Sequence, residues 1–123
     1  MMLPALLVAA ACGAWHADAT GHYLGEVESR GPKAIDTWIE ETPAGLSGSY
    51  VLHEENRDVT GTLEAVGDDD CEVALFRWTD LYGTGVARLR FHPAAHCFEG
   101  SWGREQTDPR LIWRSCTRSR ITS

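Results

Sequence analysis

The sequence predicts an all-β protein: an antiparallel up-and-down meander of about eight strands, closed or strongly coiled into a barrel. Three observations lead there. No stretch of the chain sustains a helical period, whereas segments rich in Val, Leu, Thr, Tyr, Phe and Trp recur at even spacing between turn-forming residues. Within those segments apolar and polar residues alternate, the pattern of a sheet with one face in a core and one in water. The intervening turns are too short for the crossovers that parallel strands require.

Taken in order, the strands are expected at about 21–29, 34–41, 46–54, 58–66, 71–79, 82–92, 97–103 and 110–117. The breaks between them carry Gly, which tolerates positive φ, Pro, which fixes φ, and Asp or Asn, which bond their own backbone. Examples are Arg30-Gly31-Pro32, Thr42-Pro43-Ala44-Gly45, Glu55-Asn56-Arg57-Asp58 and Gly67-Asp68-Asp69-Asp70. Alternation then assigns faces. Tyr50 and Leu52 oppose Ser49, Val51 and His53; Val59, Gly61, Leu63 and Ala65 oppose Thr60, Thr62 and Glu64. Gly85, Ala87, Leu89 and Phe91 oppose Arg88 and Arg90, and Phe98, Gly100 and Trp102 oppose Glu99 and Ser101.

Ahead of the first strand, Leu3 to Trp15 is an almost unbroken apolar run without charge. Its length of about 13 residues falls short of the roughly 20 needed to cross a hydrocarbon core and suits the apolar segment of a signal peptide. Ala17-Asp18-Ala19 supplies a small-x-small cleavage site, so residues 1–19 are expected to be a signal peptide and 20–123 a single domain. No Lys or Arg precedes the run, which departs from the usual basic start. Ala9-Ala10-Ala11-Cys12-Gly13 is a partial match to a lipobox, lacking the branched residue usual at Ala9; lipidation of Cys12 is the minor reading. Export to the periplasm or exterior favours disulfides. Of Cys71, Cys97 and Cys116, the preferred pair is Cys71–Cys97, with Cys97–Cys116 close behind and one thiol left over.

Charge is divided along the chain. Residues 26–72 hold 13 acids against three bases, and residues 77–120 hold eight arginines against four acids, within a net charge of −7. An acidic balance argues against nonspecific nucleic-acid binding. The two halves are expected to attract each other in the fold, or to leave an acidic face for a basic partner.

Glycines add a further pattern. Gly48-Ser49-Tyr50, Gly61-Thr62-Leu63 and Gly100-Ser101-Trp102 share a Gly-hydroxyl-large apolar triplet, and Gly83-Thr84 repeats its start. Glycine inside strands permits the tight coiling a small barrel needs. With its Gly-x-Tyr, Gly-x-Leu and Gly-x-Trp strands, the meander over most of residues 21–117 resembles the calycin group of small barrels, the avidin-like and lipocalin-like proteins. In lipocalins the Gly-x-Trp motif lies on the first strand; here it lies on the seventh. The resemblance implies a barrel that holds a small ligand.

Motifs for catalysis are missing. No Gly-x-Ser-x-Gly elbow, phosphate loop or zinc-protease helix is present, and Glu40-Glu41 and Glu54-Glu55 each point to opposite faces of a strand. His92, His96 and Cys97 are a sparse metal set, and Asp68-Asp69-Asp70 with Glu72 lacks the spacing of a calcium loop. No enzyme activity and no cofactor are therefore read from the chain. The expected function is an exported binding module for a small apolar or amphipathic ligand held by Trp38, Tyr50, Trp78, Trp102 and Trp113. The alternative is an inhibitor-like or envelope-accessory domain presenting Glu54, Glu55, Asp68, Asp69 and Asp70 to a basic protein, of which lysozyme-type hydrolases are one class.

Overall fold

The computed structural model describes residues 12–104 and 108–117. Eight antiparallel strands follow one another around a closed up-and-down barrel: β1 (Gly21–Glu28), β2 (Pro32–Thr42), β3 (Gly45–His53), β4 (Asp58–Asp70), β5 (Val73–Asp80), β6 (Gly83–His92), β7 (Cys97–Arg104) and β8 (Leu111–Thr117). Closure comes from β1 pairing with β8, from Tyr23 opposite Thr117 to Val27 opposite Trp113. Every strand thus has two neighbours and no edge is left unpaired.

The alternation read from the sequence is the in–out alternation of the barrel. Tyr50, Leu52, Val59, Gly61, Leu63, Gly85, Ala87, Leu89, Phe91 and Phe98 are buried, while Ser49, Thr60, Thr62, Arg88, Arg90 and Glu99 are exposed. Gly61 shows why a glycine is needed on an inward position. The Tyr50 ring lies directly over it, and a Cβ there would collide with Tyr50 Cζ and Oη.

One expected turn is instead strand. Gly67 to Asp70 extends β4, helped by register shifts between Ala65 and Gly67 and between Asp68 and Asp70, so the reversal falls on Cys71 and Glu72. Bulges let a strand with non-ideal residues stay paired while twisting more sharply. Asp70 Oδ1 accepts the Cys71 N–H at 2.8 Å, and Glu72 takes up the left-handed conformation at φ 64°.

In a meander, alternate turns share an end. The turns after β2, β4 and β6 form one end of the barrel, and a short helix α1 (Trp15–Ala19) lies across it. Trp15 is buried against Phe91, with ring centroids 5.9 Å apart, and Tyr23 Oη donates to the Ala19 carbonyl at 2.6 Å. Burial pushes the Tyr23 hydroxyl up to about 12. Tyr23, Phe91 and Phe98 pack edge-on or tilted beneath the helix, filling that end.

The cysteines correct the expected pairing. Cys12 bonds Cys71, and Cys97 bonds Cys116, leaving no free thiol among the described residues. The expected Cys71–Cys97 bond is excluded by register: Cys97 stands directly opposite Cys116 across β7 and β8, whereas Cys71 sits in the turn that Cys12, just ahead of α1, reaches. A Cys12 sulfur engaged in a disulfide is not available for lipidation either. Most of the N-terminal apolar run expected to be a signal peptide lies in residues 1–11, outside the described residues. No described helix is long and apolar enough to cross a membrane. Two disulfides are compatible with an exported protein.

The charged halves meet in part. Asp69 bonds Arg88 at 2.8 Å, and Glu26 lies 4.0 Å from Arg114.

Candidate ligand-binding cavity

At the end opposite α1 the barrel is not filled. A cavity of about 440 Å³ opens there, lined by the inward residues Val27, Ile35, Tyr50, Leu52, Trp78, Trp102 and Trp113 and by the rim residues Ser29, Arg30, Asp80, Tyr82, Arg104 and Leu111. The rim is built by the turns that follow β1, β3, β5 and β7. Its position follows from side-chain volume. Phenylalanines and leucines crowd the α1 end, while at the open end the large rings sit against Gly61 and Gly85 and leave space between them.

The sequence-predicted ligand residues divide here. Tyr50, Trp78, Trp102 and Trp113 come together in the cavity wall. Trp78 and Trp102 meet edge-to-face at 5.4 Å, as do Tyr50 and Trp113 at 5.4 Å. Trp38 does not join them. It points outward from β2, 38% exposed, because it sits one register step from inward-facing Thr37 and Ile39. It stacks on His22 instead.

Polar groups tie the rings in place. Trp78 Nε1 donates to the Gly103 carbonyl at 2.9 Å and Trp102 Nε1 to the Glu28 carbonyl at 3.0 Å. Tyr50 Oη donates to Asp80 Oδ2 at 2.7 Å, and the other Asp80 oxygen accepts the Tyr82 N–H at 2.8 Å. Burial and the Asp80 carboxylate both push the Tyr50 hydroxyl far up, so it stays protonated and donating. Trp113 differs: among the described residues its indole N–H is buried without a partner, as are the hydroxyls of Thr37 and Ser115. An unmet buried donor costs about 1–3 kcal/mol.

Tyr82 organises the rim. Its hydroxyl donates to Glu54 at 2.7 Å and accepts from Arg57 Nη2 at 3.0 Å, and the guanidinium groups of Arg30 and Arg57 lie 5.6 and 5.8 Å from its ring centroid. The Tyr82 hydroxyl, aided by Arg57 and Arg30, holds the Glu54 carboxyl below its ordinary range. Arg104 Nη1 donates to the Tyr82 carbonyl at 2.9 Å. Neither motif nor periodicity marks Arg30, Asp80, Tyr82 and Arg104 as site residues. A signal for them exists, since odd-numbered turns of a meander must share one end, and these residues lie in or beside those turns.

The acidic candidates are split. Glu54 and Glu55 sit in the turn before β4, at the cavity end, while Asp68, Asp69 and Asp70 end β4 at the α1 end. Four of them already have partners: Glu54 has Tyr82, Asp68 has His16 at 2.9 Å, Asp69 has Arg88 and Asp70 has the Cys71 N–H. The sparse metal set is dispersed as well. Cys97 is in a disulfide, His92 contacts Glu99 at 3.0 Å, and no group of three metal-ligating side chains occurs among the described residues.

An eight-stranded closed antiparallel barrel agrees with a calycin-like barrel at the level of architecture. No protein-family model matches the chain, and no curated protein sequence matches it.

Proposed function

We propose that the protein is an exported, calycin-like binding module whose barrel holds a small apolar or amphipathic ligand. The observation that carries this reading is the open-ended cavity of about 440 Å³ with Tyr50, Trp78, Trp102 and Trp113 in its wall. That volume lies within the range of roughly 300–1,000 Å³ of small-molecule sites, which are mostly aromatic with a few polar anchors. Arg30 and Arg104 at the rim suit the polar end of an amphipathic ligand. The ligand's apolar part displaces water from the rings, which is the driving force for binding.

Titration of intrinsic tryptophan fluorescence with anilinonaphthalene sulfonate and with medium-chain fatty alcohols tests the reading. Saturable quenching is expected, weakened about tenfold or more by Leu52→Trp, which would fill the cavity. Absence of saturable binding, or binding untouched by the filling substitution, refutes it.

A further inference from the structure

We propose that residues 12–19 stay in the mature protein as a plug on the barrel, and that export processing cuts the Ala11–Cys12 bond instead of the bond after Ala19. The inference rests on the export proposed above and not on the cavity or its ligand.

This segment supplies part of the native core. Trp15 is 6% exposed and Ala19 1% exposed, both within the main hydrophobic cluster, and Cys12 packs against the same cluster. The Trp15 ring covers that of Phe91 at 5.9 Å, so its removal leaves a void over the closed end of the barrel.

Polar groups of the barrel are committed to the segment as well. The Tyr23 hydroxyl, buried beneath it, donates to the Ala19 carbonyl at 2.6 Å. His16 Nε2 lies 2.9 Å from Asp68, which ties the segment to the end of β4. A cut after Ala19 carries that carbonyl away on the departing peptide and takes from the Tyr23 hydroxyl its acceptor.

Cysteine parity points the same way. The four cysteines pair as Cys12–Cys71 and Cys97–Cys116. Removal of residues 1–19 leaves three, with Cys71 the odd one, in a compartment that oxidises thiols and favours pairing between molecules. A cut directly ahead of Cys12 keeps the even set.

The sequence offers such a cut. Ala9-Ala10-Ala11 is a small-x-small triplet, and Leu3 to Ala11 is nine residues of uncharged, apolar sequence, within the range of about 7–15 for a signal apolar segment. Cleavage takes place on the unfolded chain, where this triplet adjoins the apolar segment and precedes Ala17-Asp18-Ala19. Hydrolysis by a signal endopeptidase adds one water, giving a carboxylate on Ala11 and a free α-amine on Cys12. The Cys12 and Cys71 thiols then pass two electrons and two protons to a disulfide oxidant of the compartment, which becomes a dithiol as the new S–S bond forms.

The test expresses the full chain from its own leader in a bacterial host and reads the exported protein by intact mass, before and after reduction, with iodoacetamide as thiol probe. The expected product starts at Cys12, is four hydrogens lighter than its reduced form and takes up no iodoacetamide until reduced. Ala11→Lys is expected to stop processing, because the position before the cut must be small. Ala17→Lys removes a small position of the second triplet at an exposed site and is expected to leave the same N-terminus. An exported chain that starts downstream of Cys12, at Thr20 above all, overturns the proposal and leaves export standing. So does processing that survives Ala11→Lys or is stopped by Ala17→Lys, and so does a diacylglyceryl group on Cys12. A chain that keeps Ala11 overturns the cut, and if it also stays in the cytoplasm the export reading falls with it.

Discussion

Gly61→Ala puts the packing of the cavity wall to a direct test. The backbone at Gly61 is ordinary strand, so alanine meets no φ penalty and gains about 0.4–1 kcal/mol by restricting the unfolded chain. Against that, the new Cβ would collide with Tyr50 Cζ and Oη and stand 2.5 Å from Cε1. The ring must move, and its hydroxyl then leaves Asp80, to which it donates at 2.7 Å. Overpacking costs about 1–3 kcal/mol and a bond to a charged acceptor about 1.5–3 kcal/mol. Part of both is recovered as the ring swings into the cavity, so the net loss is set at about 2–3 kcal/mol. For a domain of this size that lowers the midpoint of thermal unfolding by roughly 10–20 °C. Urea unfolding followed by tryptophan fluorescence measures the loss, and the same substitution in a Tyr50→Leu background isolates its cause. There the collision is gone, and Gly61→Ala is expected to cost less than about 0.5 kcal/mol, a coupling of roughly 2 kcal/mol between the sites. A cycle that is additive, or a single substitution without effect, would refute the placement of the ring. Ligand affinity offers a second readout, because the displaced ring occupies cavity space.

Further expectations concern the cysteines, the end cap and the acid–base network. In the uncleaved chain, a non-reducing peptide map should yield Cys12 linked to Cys71 and Cys97 linked to Cys116; a Cys71–Cys97 peptide would refute the register. Separations of 59 and 19 residues correspond to about 4 and about 3 kcal/mol of chain entropy, so reduction should destabilise the protein strongly. A chain beginning at Thr20, the product of cleavage after Ala19, lacks Cys12 and Trp15; Cys71 should then take up one equivalent of a thiol reagent and the unfolding midpoint should fall. An unchanged midpoint would show that α1 contributes nothing to the barrel. In the network, hydrogen bonds to Asp36 and then Asp58 raise the pKa of His53, so its stabilisation is full below the unfolded-state value and fades as pH rises through the folded one. Asp36 is pushed up by burial but pulled down further by His53 and His22, so its stabilisation holds above the unfolded-state value and fades as pH falls through the folded one. Asp36→Asn should bring the His53 pKa, read by NMR, down toward about 6.5 and cost about 1 kcal/mol near pH 6. A His53 titration that does not move would refute the pairing.

Much of the barrel can be read along the chain because a strand's faces alternate residue by residue. Tyr50, Leu52, Leu63, Ala87 and Phe98 declare their inward side by their immediate neighbours, and Asn, Gly and Pro mark the reversals without reference to anything distant. Other features depend on which residues stand opposite one another, and that is settled by register and closure. Cys97 meets Cys116 only because β7 pairs with β8 in one register, and Cys12 reaches Cys71 only because α1 crosses the end where β4 turns. Trp38 shares its residue type with the cavity tryptophans but falls on the outward side of β2, where it stands beside His22. The cavity itself depends on how side chains from many strands pack together at one end of the barrel. Local alternation says which side chains face inward; only their three-dimensional packing decides whether they meet, and here at one end they leave room.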